Sequence, residues 1–366
     1  MTFDVALAGG LSYRRDLLKT ELARLVGSTG GWPDRMAAGS SVLLKVNMLA
    51  AKKPRKAVTT HPELVAALSE LLLARGCRVA VGDSPGGAVK GVRRYWRNCG
   101  YSDVASELGL ELVNFESGGS VTRRSGGHEY NVARKVYEFD AVVNMCKLKT
   151  HTYCTMTNAV KNAFGVIPGL GKAILHSVAV RPRDLAVHLV NIYQLVQWDL
   201  VVMDAILSMD GKGPSTDGDP RKDGILGVAR DSVCMDMVAA EMVGLGPGKL
   251  DTNRVARRRG LGKPREDIRV EGMVELEGFR LPKSGIYNLI PPFLGAVVRP
   301  FLRRAPRSNQ RCTGCGLCAE SCPVGAITIR DGRARMSRSR CILCLCCHEV
   351  CPENAVEIRV GLRRGR

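Results

Sequence analysis

The stretch CTGCGLCAESCP at residues 312–323 has a counterpart, CILCLCCHEVCP, at residues 341–352. Both follow the pattern C-x2-C-x2-C-x3-C-P, and their first cysteines lie 29 residues apart. This spacing is typical of paired 4Fe-4S clusters in which the fourth cysteine of each run ligates the cluster of the other run. The sequence therefore predicts an electron-transfer module with two ligand sets. They are Cys312, Cys315, Cys318 and Cys351, and Cys341, Cys344, Cys347 and Cys322.

The repeat extends beyond the cysteines. Ala326-Ile327-Thr328-Ile329 corresponds to Ala355-Val356-Glu357-Ile358, so each half is predicted to end in a short strand. We expect a small α+β, ferredoxin-like two-cluster domain at residues 308–366. The alternative is a pair of zinc sites, for which cysteine pairs separated by a longer loop are typical. Cys346 has no counterpart in the first run, where Leu317 stands, and we interpret it as a buried neighbour rather than a ligand.

The composition indicates a globular protein of more than one domain. The chain has 366 residues, of which 45% are hydrophobic, enough for a large core and for two or three domains. Its N-terminus lacks a basic segment followed by an apolar one, and no apolar run reaches the about 18 residues that span a bilayer. We therefore expect no transmembrane segment and a cytoplasmic, reducing and anaerobic setting.

The most apolar stretch, residues 286–298, contains Pro291-Pro292 and precedes a basic linker that we place at residues 299–307. Because two prolines prevent a continuous amphipathic helix, we favour a hinge packed on the larger domain over peripheral contact with an anionic membrane.

Positive charge is concentrated near the predicted clusters. The chain carries a net charge of +19, and residues 299–366 hold 14 arginines, no lysine and five acidic residues. A positive rim would attract an acidic electron carrier of the ferredoxin or flavodoxin type, or a redox enzyme. A solvated basic face without a partner is the alternative. Nucleic acid is an unlikely partner, since aromatic residues are only 5% and do not alternate with the basic runs.

Residues 1–298 alternate strand and helix patterns. Strands are predicted at residues 3–7, 41–47, 77–81, 141–145 and 200–203, and helices at 14–26, 61–75, 184–197 and 232–243. This alternation predicts an α/β domain with a mostly parallel sheet and flanking helices. In such sheets, ligands bind beyond the carboxyl ends of the strands.

Two glycine-rich loops resemble phosphate-binding loops only in part. The loop at residues 82–87 has backbone N–H groups that could hold an anion, although a tight turn without a ligand is equally compatible with it. Residues 165–172 lack the P-loop glycine, replaced by Val166, and the magnesium-binding hydroxyl, replaced by Ala173. We therefore exclude ATP hydrolysis at that loop.

Cations and amides cluster after the predicted strand at residues 141–145. Residues 147–162 supply lysines, hydroxyls and amides that suit an oxyanion or carboxylate, with a solvated basic loop as the alternative. His151 between Cys146 and Cys154 could bind a metal, but buried packing of the two thiols is favoured.

The next loop, predicted at residues 204–214, has acidic residues without the order of a calcium-binding EF-hand. Asp204, and Asp236 on a later helix, are candidates for a general acid or base or a cation partner. Each could equally be a helix cap or a surface charge.

Several of these segments resemble, in order, the family called domain of unknown function 362. They are Leu43 to Asn47, Lys147 to His151, Asn158 to Gly165, Asp204 to Pro214 and Asp231 to Asp236. The resemblance covers roughly residues 1 to 275, and members of this family tend to have proline at positions 46 and 232, where Val46 and Ser232 stand. It implies an α/β pocket beside a ferredoxin-like extension, with no settled reaction.

The resemblance implies two groups of pocket residues. The ligand-binding group is Lys45, Asn47, Lys147 and Asn162. The catalytic group is Lys149, His151, Lys161 and His176, to which we add Asp204 because of its position at the end of a predicted strand. Our leading hypothesis is a ferredoxin-linked oxidoreductase in which His151 or His176 supplies a proton to an anionic small molecule. Lys161 could instead form a Schiff base. The alternative is a non-catalytic electron-transfer or assembly protein whose α/β domain recognises another protein.

Overall fold

The computed structural model describes residues 2–86, 91–179, 181–215, 218–282 and 304–360. Its larger part is a mixed, mostly parallel sheet with helices on both faces, which confirms the predicted fold class. The strands are β1 (Val5–Ala8), β2 (Ser41–Lys45), β3 (Arg78–Asp83), β4 (Glu111–Asn114), β5 (Ser120–Ser125), β6 (His128–Ala133), β7 (Ala141–His151), β8 (Thr155–Thr157), β9 (Leu200–Gly211), β10 (Gly218–Ala229) and β11 (Val270–Glu271).

The strand order in this sheet is β11-β1-β10-β9-β7-β2-β3-β4, with β8 paired to β7, while β5 and β6 form a separate hairpin. The central strands β9, β7, β2, β3 and β4 run parallel, and β10 is antiparallel to both β9 and β1. The carboxyl ends of β2, β3 and β7 therefore meet at one edge of the sheet.

Helices cover both faces of the sheet. They are α1 (Arg15–Ser28), α2 (Pro62–Ala74), α3 (Arg93–Asn98), α4 (Tyr101–Leu108), α5 (Ala159–Asn162), α6 (Gly171–Val178), α7 (Pro182–Tyr193), α8 (Ser232–Met242) and α9 (Asp251–Arg258). Val42 and Leu44 pack with α1 and α2, whereas Leu43 packs with α7 on the other face. Because successive side chains of a strand point to opposite faces, both faces of β2 must be apolar, and its sequence is an unbroken apolar run.

Two strands extend further than the sequence predicted. Residues 147–151 belong to β7 rather than to a loop, and residues 204–211 belong to β9. The polar side chains of these segments are buried in the protein, where ion pairs and hydrogen bonds satisfy them. A buried strand can therefore continue through lysine and aspartate when each has a partner.

The C-terminal module has two small antiparallel sheets. Strand β12 (Arg304–Ser308) pairs with β15 (Val356–Val360), and β13 (Ile327–Arg330) pairs with β14 (Arg333–Met336). Short helices α10 (Leu317–Glu320) and α11 (Cys346–Val350) follow the second cysteine of each run. These pairs fit the predicted ferredoxin-like module.

The predicted boundary between the domains falls largely in segments outside the described residues. These include the apolar stretch at 286–298 and residues 299–303 of the predicted linker, whereas residues 304–307 lie in β12. The boundaries at 298 and 308 stay predictions. In the described part of the chain, no helix combines the length and apolarity that crossing a bilayer requires.

Candidate functional site

A buried ion pair lies where β2 and β3 end. The Nζ atom of Lys45 is 2.8 Å from Oδ1 of Asp83, and the two side chains are 1% and 3% exposed. Burial lowers the pKa of Lys45, and the charge of Asp83 opposes this shift. Gly165 packs directly on the pair, because a Cβ there would lie 2.2 Å from Asp83 Oδ1 and 2.5 Å from Lys45 Nζ. Only glycine fits this position without a shift of the pair.

Amide side chains connect this pair to the neighbouring lysine. Asn162 Oδ1 accepts hydrogen bonds from Lys45 Nζ at 3.2 Å and from Asn47 Nδ2 at 3.0 Å. Asn47 Oδ1 in turn accepts from Lys149 Nζ at 2.7 Å. Asn162 also donates to Asn144 Oδ1 at 2.8 Å. Lys45, Asn47, Lys149 and Asn162, four of the residues predicted to line one pocket, are thus brought together in one largely buried network.

Lys147 and Asp204 form a second, separate group. Lys147 Nζ lies 2.8 Å from Asp204 Oδ2 and donates to the hydroxyl of Tyr13 at 3.1 Å. Asp204 also accepts from the Tyr13 hydroxyl at 2.7 Å and from the backbone N–H of His61 at 2.8 Å. The His61 ring stacks on Tyr13 with 3.5 Å between centroids. Because Asp204 is fully buried and its two oxygens bond to Lys147, Tyr13 and His61, its geometry fits a counterion of Lys147.

His151, His176 and Lys161 form a third group. The His151 and His176 rings are parallel, with centroids 6.3 Å apart. His151 Nδ1 accepts the backbone N–H groups of Tyr153 and Cys154, each at 3.1 Å, so the neutral ring carries its hydrogen on Nε2. Burial and then the charge of Lys161 lower the pKa of His151 well below its usual value and that of His176 to about 3.

Lys161 is half-buried, and its ammonium lies 5.7 Å from the centre of the Phe164 ring. Among the described residues it makes no ion pair with a carboxylate. This group therefore presents one positive charge and an imidazole N–H donor in the same place. Such an arrangement suits an anion.

Cys146 and Asp236, two further candidates from the sequence, bond to other residues of the protein. Cys146 Sγ donates to Asn158 Oδ1 at 3.0 Å, and among the described residues around His151 no three His, Cys, Asp or Glu side chains form a group for a single metal ion. Asp236 accepts the backbone N–H groups of Ala159 and Val160, so it caps α5, and burial raises its pKa to about 7.

Within its described residues, 82–86, the first glycine-rich loop is a structural turn. Gly87 lies outside the described residues. The N–H of Ser84 donates to its neighbour Asp83, and that of Gly86 donates to the carbonyl of Leu49. These donors are therefore not available to an anion. Lys172 of the second glycine-rich loop donates to the carbonyl of Ser84 at 3.0 Å and lies 3.9 Å from Glu116.

The C-terminal module contains two hollows, each lined by four of the predicted ligands. One is lined by Cys312, Cys315, Cys318 and Cys351. The other is lined by Cys322, Cys341, Cys344 and Cys347, and Cys346 lines it as well. Each hollow therefore has one lining cysteine from the other run.

Backbone N–H groups point at the cysteine sulfurs. The N–H groups of Ala326 and Ala355, equivalent positions of the repeat, donate to Cys322 Sγ and Cys351 Sγ at 3.2 Å each. Such bonds stabilise thiolates that ligate iron. Burial raises the pKa of Cys318 to about 11, so its thiolate form depends on a bound cation such as cluster iron. The residues present thus fit iron-sulfur clusters.

Comparisons with known proteins identify both parts of the chain. The profile of the domain of unknown function DUF362 matches residues 42–241. The thylakoid-associated protein sll1697 of Synechocystis is 33% identical over 263 residues, covering 71% of this chain and 81% of that protein. The chain belongs to the DUF362 family.

The C-terminal part of this DUF362 protein matches a 4Fe-4S dicluster domain over residues 311–355. NADH-quinone oxidoreductase subunit I of Chromohalobacter salexigens is 37% identical over 71 residues, which cover 18% of this chain and 37% of that relative. The chain is therefore an iron-sulfur, ferredoxin-like electron-transfer protein. The lactate racemase apoprotein of Thermoanaerobacterium thermosaccharolyticum aligns with a TM-score of 0.38 at 12% identity, covering 56% of this chain and 51% of that chain.

Sequence reasoning missed the roles of Tyr13, His61 and Lys52 in this DUF362 chain. Tyr13 and His61 complete the Asp204 group, and Lys52 Nζ donates to the carbonyl oxygen of Cys351 at 2.9 Å. None of the three stands in a recognisable motif. The sequence offered one signal, at His61. A polar residue directly before a helix that begins with proline, here Pro62, indicates an N-cap.

Proposed function

We propose that this DUF362 protein is a ferredoxin-linked oxidoreductase that delivers electrons through two 4Fe-4S clusters to an anionic small molecule in the α/β domain. The observation that carries the proposal is the loop after β2. Asn47 in this loop bonds to Lys149 and Asn162, and Lys52, five residues later, bonds to the carbonyl of Cys351. One short loop thus contacts both the polar network and a predicted cluster ligand.

The group of Lys161, His151 and His176 supports an anionic ligand. The pKa values of His151 and His176 are low because burial and the charge of Lys161 disfavour the protonated rings. A bound anion would offset that charge and favour protonation. The imidazoles would then be able to transfer protons near neutral pH.

A two-electron reduction balances with this arrangement. Clusters held by the eight cysteines would supply the two electrons. His151 or His176 would supply one of the two protons, and solvent would supply the other. Transfer of single electrons at modest distance is the chemistry that the clusters supply when bound.

The exposed arginines of the module support an acidic carrier as the electron donor. Five of them lie on β13, on β14 or in the turn that follows: Arg330, Arg333, Arg335, Arg338 and Arg340. Like-signed charges on one face attract acidic proteins and increase the rate of association. We propose a cytoplasmic location, where reducing conditions keep cysteines available for iron.

Lys161→Met tests the anion site, and Lys56→Met, a change of an exposed lysine, is the matched control. Melting temperatures are measured anaerobically with phosphate, acetate and succinate. We expect one anion class to raise the melting temperature of the wild type and of Lys56→Met but not of Lys161→Met. That anion should also re-oxidise the chemically reduced protein, as followed by visible absorbance. Anion effects that are equal in all three proteins would contradict the site.

The two buried ion pairs of the α/β domain favour a second candidate function. Lys45 pairs with Asp83, and Lys147 pairs with Asp204, so the opposite charges of these buried side chains compensate each other. An α/β domain of this kind could recognise another protein and do no chemistry. His151→Ala would then leave cluster re-oxidation unchanged and weaken only the formation of a complex, which size-exclusion chromatography with a candidate redox partner measures.

A further inference from the structure

Lys52 comes from the α/β part of the chain and is buried against the C-terminal module. Lys52 is 8% exposed, and its ammonium group donates to the carbonyl oxygen of Cys351 at 2.9 Å. The next residue, Lys53, is exposed. A lysine loses hydration free energy on burial, so it is buried only where a partner compensates for that loss.

Cys351 lines the same hollow as Cys312, Cys315 and Cys318. Its sulfur accepts the N–H of Ala355 at 3.2 Å, while its carbonyl accepts from Lys52. The residue that closes this ligand set is therefore held on one side by its own module and on the other by the α/β domain.

A buried cation near a cluster changes the electron affinity of that cluster. Reduction adds one negative charge, and the interaction of that charge with a buried ammonium is weakly screened by solvent and salt. The positive charge therefore stabilises the reduced form and raises the reduction potential. The exposed ammonium of Lys53 is screened by water and should have much less effect.

We propose that Lys52 is a positioning residue that raises the reduction potential of the cluster held by Cys312, Cys315, Cys318 and Cys351. This cluster is then the one that passes electrons to the α/β domain. The inference rests on the two-cluster assignment above, which an iron content of about eight per chain tests separately.

The test uses Lys52→Met in the full-length, cluster-loaded protein, with Lys52→Arg as the conservative variant and Lys53→Met as the matched control. Anaerobic redox titrations followed by EPR give the potential of each signal. The signal that Cys315→Ser alters marks the cluster beside Lys52, and the signal that Cys344→Ser alters marks the other. At a fixed potential, Lys52→Met should lower the ratio of reduced to oxidised cluster about tenfold in the first signal, equivalent to about 59 mV for one electron.

Lys52→Arg and Lys53→Met should leave both signals near their wild-type potentials. Loss of about four irons from Lys52→Met, with the Cys344-dependent signal retained, would also support the assignment, because it locates Lys52 at one cluster. Four results would overturn the proposal for Lys52. They are unchanged potentials with full iron content, an equal shift of both signals, loss of all iron, and an equal effect of Lys53→Met. A wild-type protein with about four irons would instead refute the two-cluster count.

Discussion

The Nζ atom of Lys147 lies 2.8 Å from Oδ2 of Asp204, and neither side chain is exposed. Removing one partner of a buried pair leaves an uncompensated charge. We therefore expect Asp204→Asn to lower the free energy of unfolding by about 3–5 kcal/mol. Urea unfolding followed by tryptophan fluorescence measures this, because all three tryptophans lie in residues 1–282. Arg124 and Glu129 form an exposed pair, so Glu129→Gln should cost less than about 1 kcal/mol. Equal effects of the two changes would show that burial of the first pair is unimportant.

Gly165 is expected to tolerate no side chain. An added Cβ would lie 2.2 Å from Asp83 Oδ1, so Gly165→Ala must displace the Lys45–Asp83 pair and should destabilise by at least about 1–3 kcal/mol. Gly27, in α1, has open space around its Cα, and Gly27→Ala should stabilise the helix by about 0.5–1 kcal/mol. The same urea titration compares the two. A neutral Gly165→Ala would contradict the close packing.

We expect the adjacent cysteines Cys346 and Cys347 to differ in their contribution to iron binding. Cys347 lines a hollow as a predicted ligand, whereas Cys346, which is also buried there, is not part of either set. Cys346→Ser should retain about eight irons per chain, and Cys347→Ser should lose or alter one cluster. Iron and sulfide analysis of anaerobically purified protein measures the difference. Iron loss from Cys346→Ser alone would reassign the ligands.

The low pKa of His176 predicts acid sensitivity. Burial and Lys161 lower this pKa to about 3, whereas an unfolded histidine titrates near about 6.5. As the pH falls below about 6.5, the unfolded chain binds a proton that the native chain does not, so stability is lost. The contribution is fully present only above the unfolded pKa.

His176→Gln should therefore reduce the loss of stability between about pH 6.5 and pH 4. The difference between wild type and variant isolates His176 from Asp236. The pKa of Asp236 is raised to about 7 by burial, which acts in the opposite direction. Urea unfolding at several pH values, followed by tryptophan fluorescence, gives the slopes. Identical slopes in His176→Gln and wild type would rule out the effect.

The sequence predicted those features that repeat locally. Apolar runs such as Val42 to Leu44 identified buried strands. The cysteine spacing predicted the exchange of Cys322 and Cys351 between two ligand sets, and each of the two lies in the lining of the hollow that this prediction assigns to it. Both signals depend on residues a few positions apart. Alternating lysines at 147 and 149 also have strand periodicity, but without known partners they indicated a loop.

The remaining features depend on contacts between distant residues. Tyr13 and Asp204 are 191 positions apart, and Lys52 and Cys351 are 299 apart. Whether a lysine is solvated or buried is decided by the partner that the fold brings to it. For this reason the polar residues predicted as one pocket separate into three groups in the structure. Their membership could not be read from spacing alone.

The exchange of Cys322 and Cys351 between the hollows has a consequence for biosynthesis. While the ribosome is still translating the segment between the two runs, Cys312, Cys315 and Cys318 have no fourth thiolate, and Cys322 has no set to join. Under this ligand assignment, the set with Cys322 is complete only at Cys347, and the set with Cys351 is complete only four residues later. Both clusters would therefore form at the same late stage of synthesis of the module.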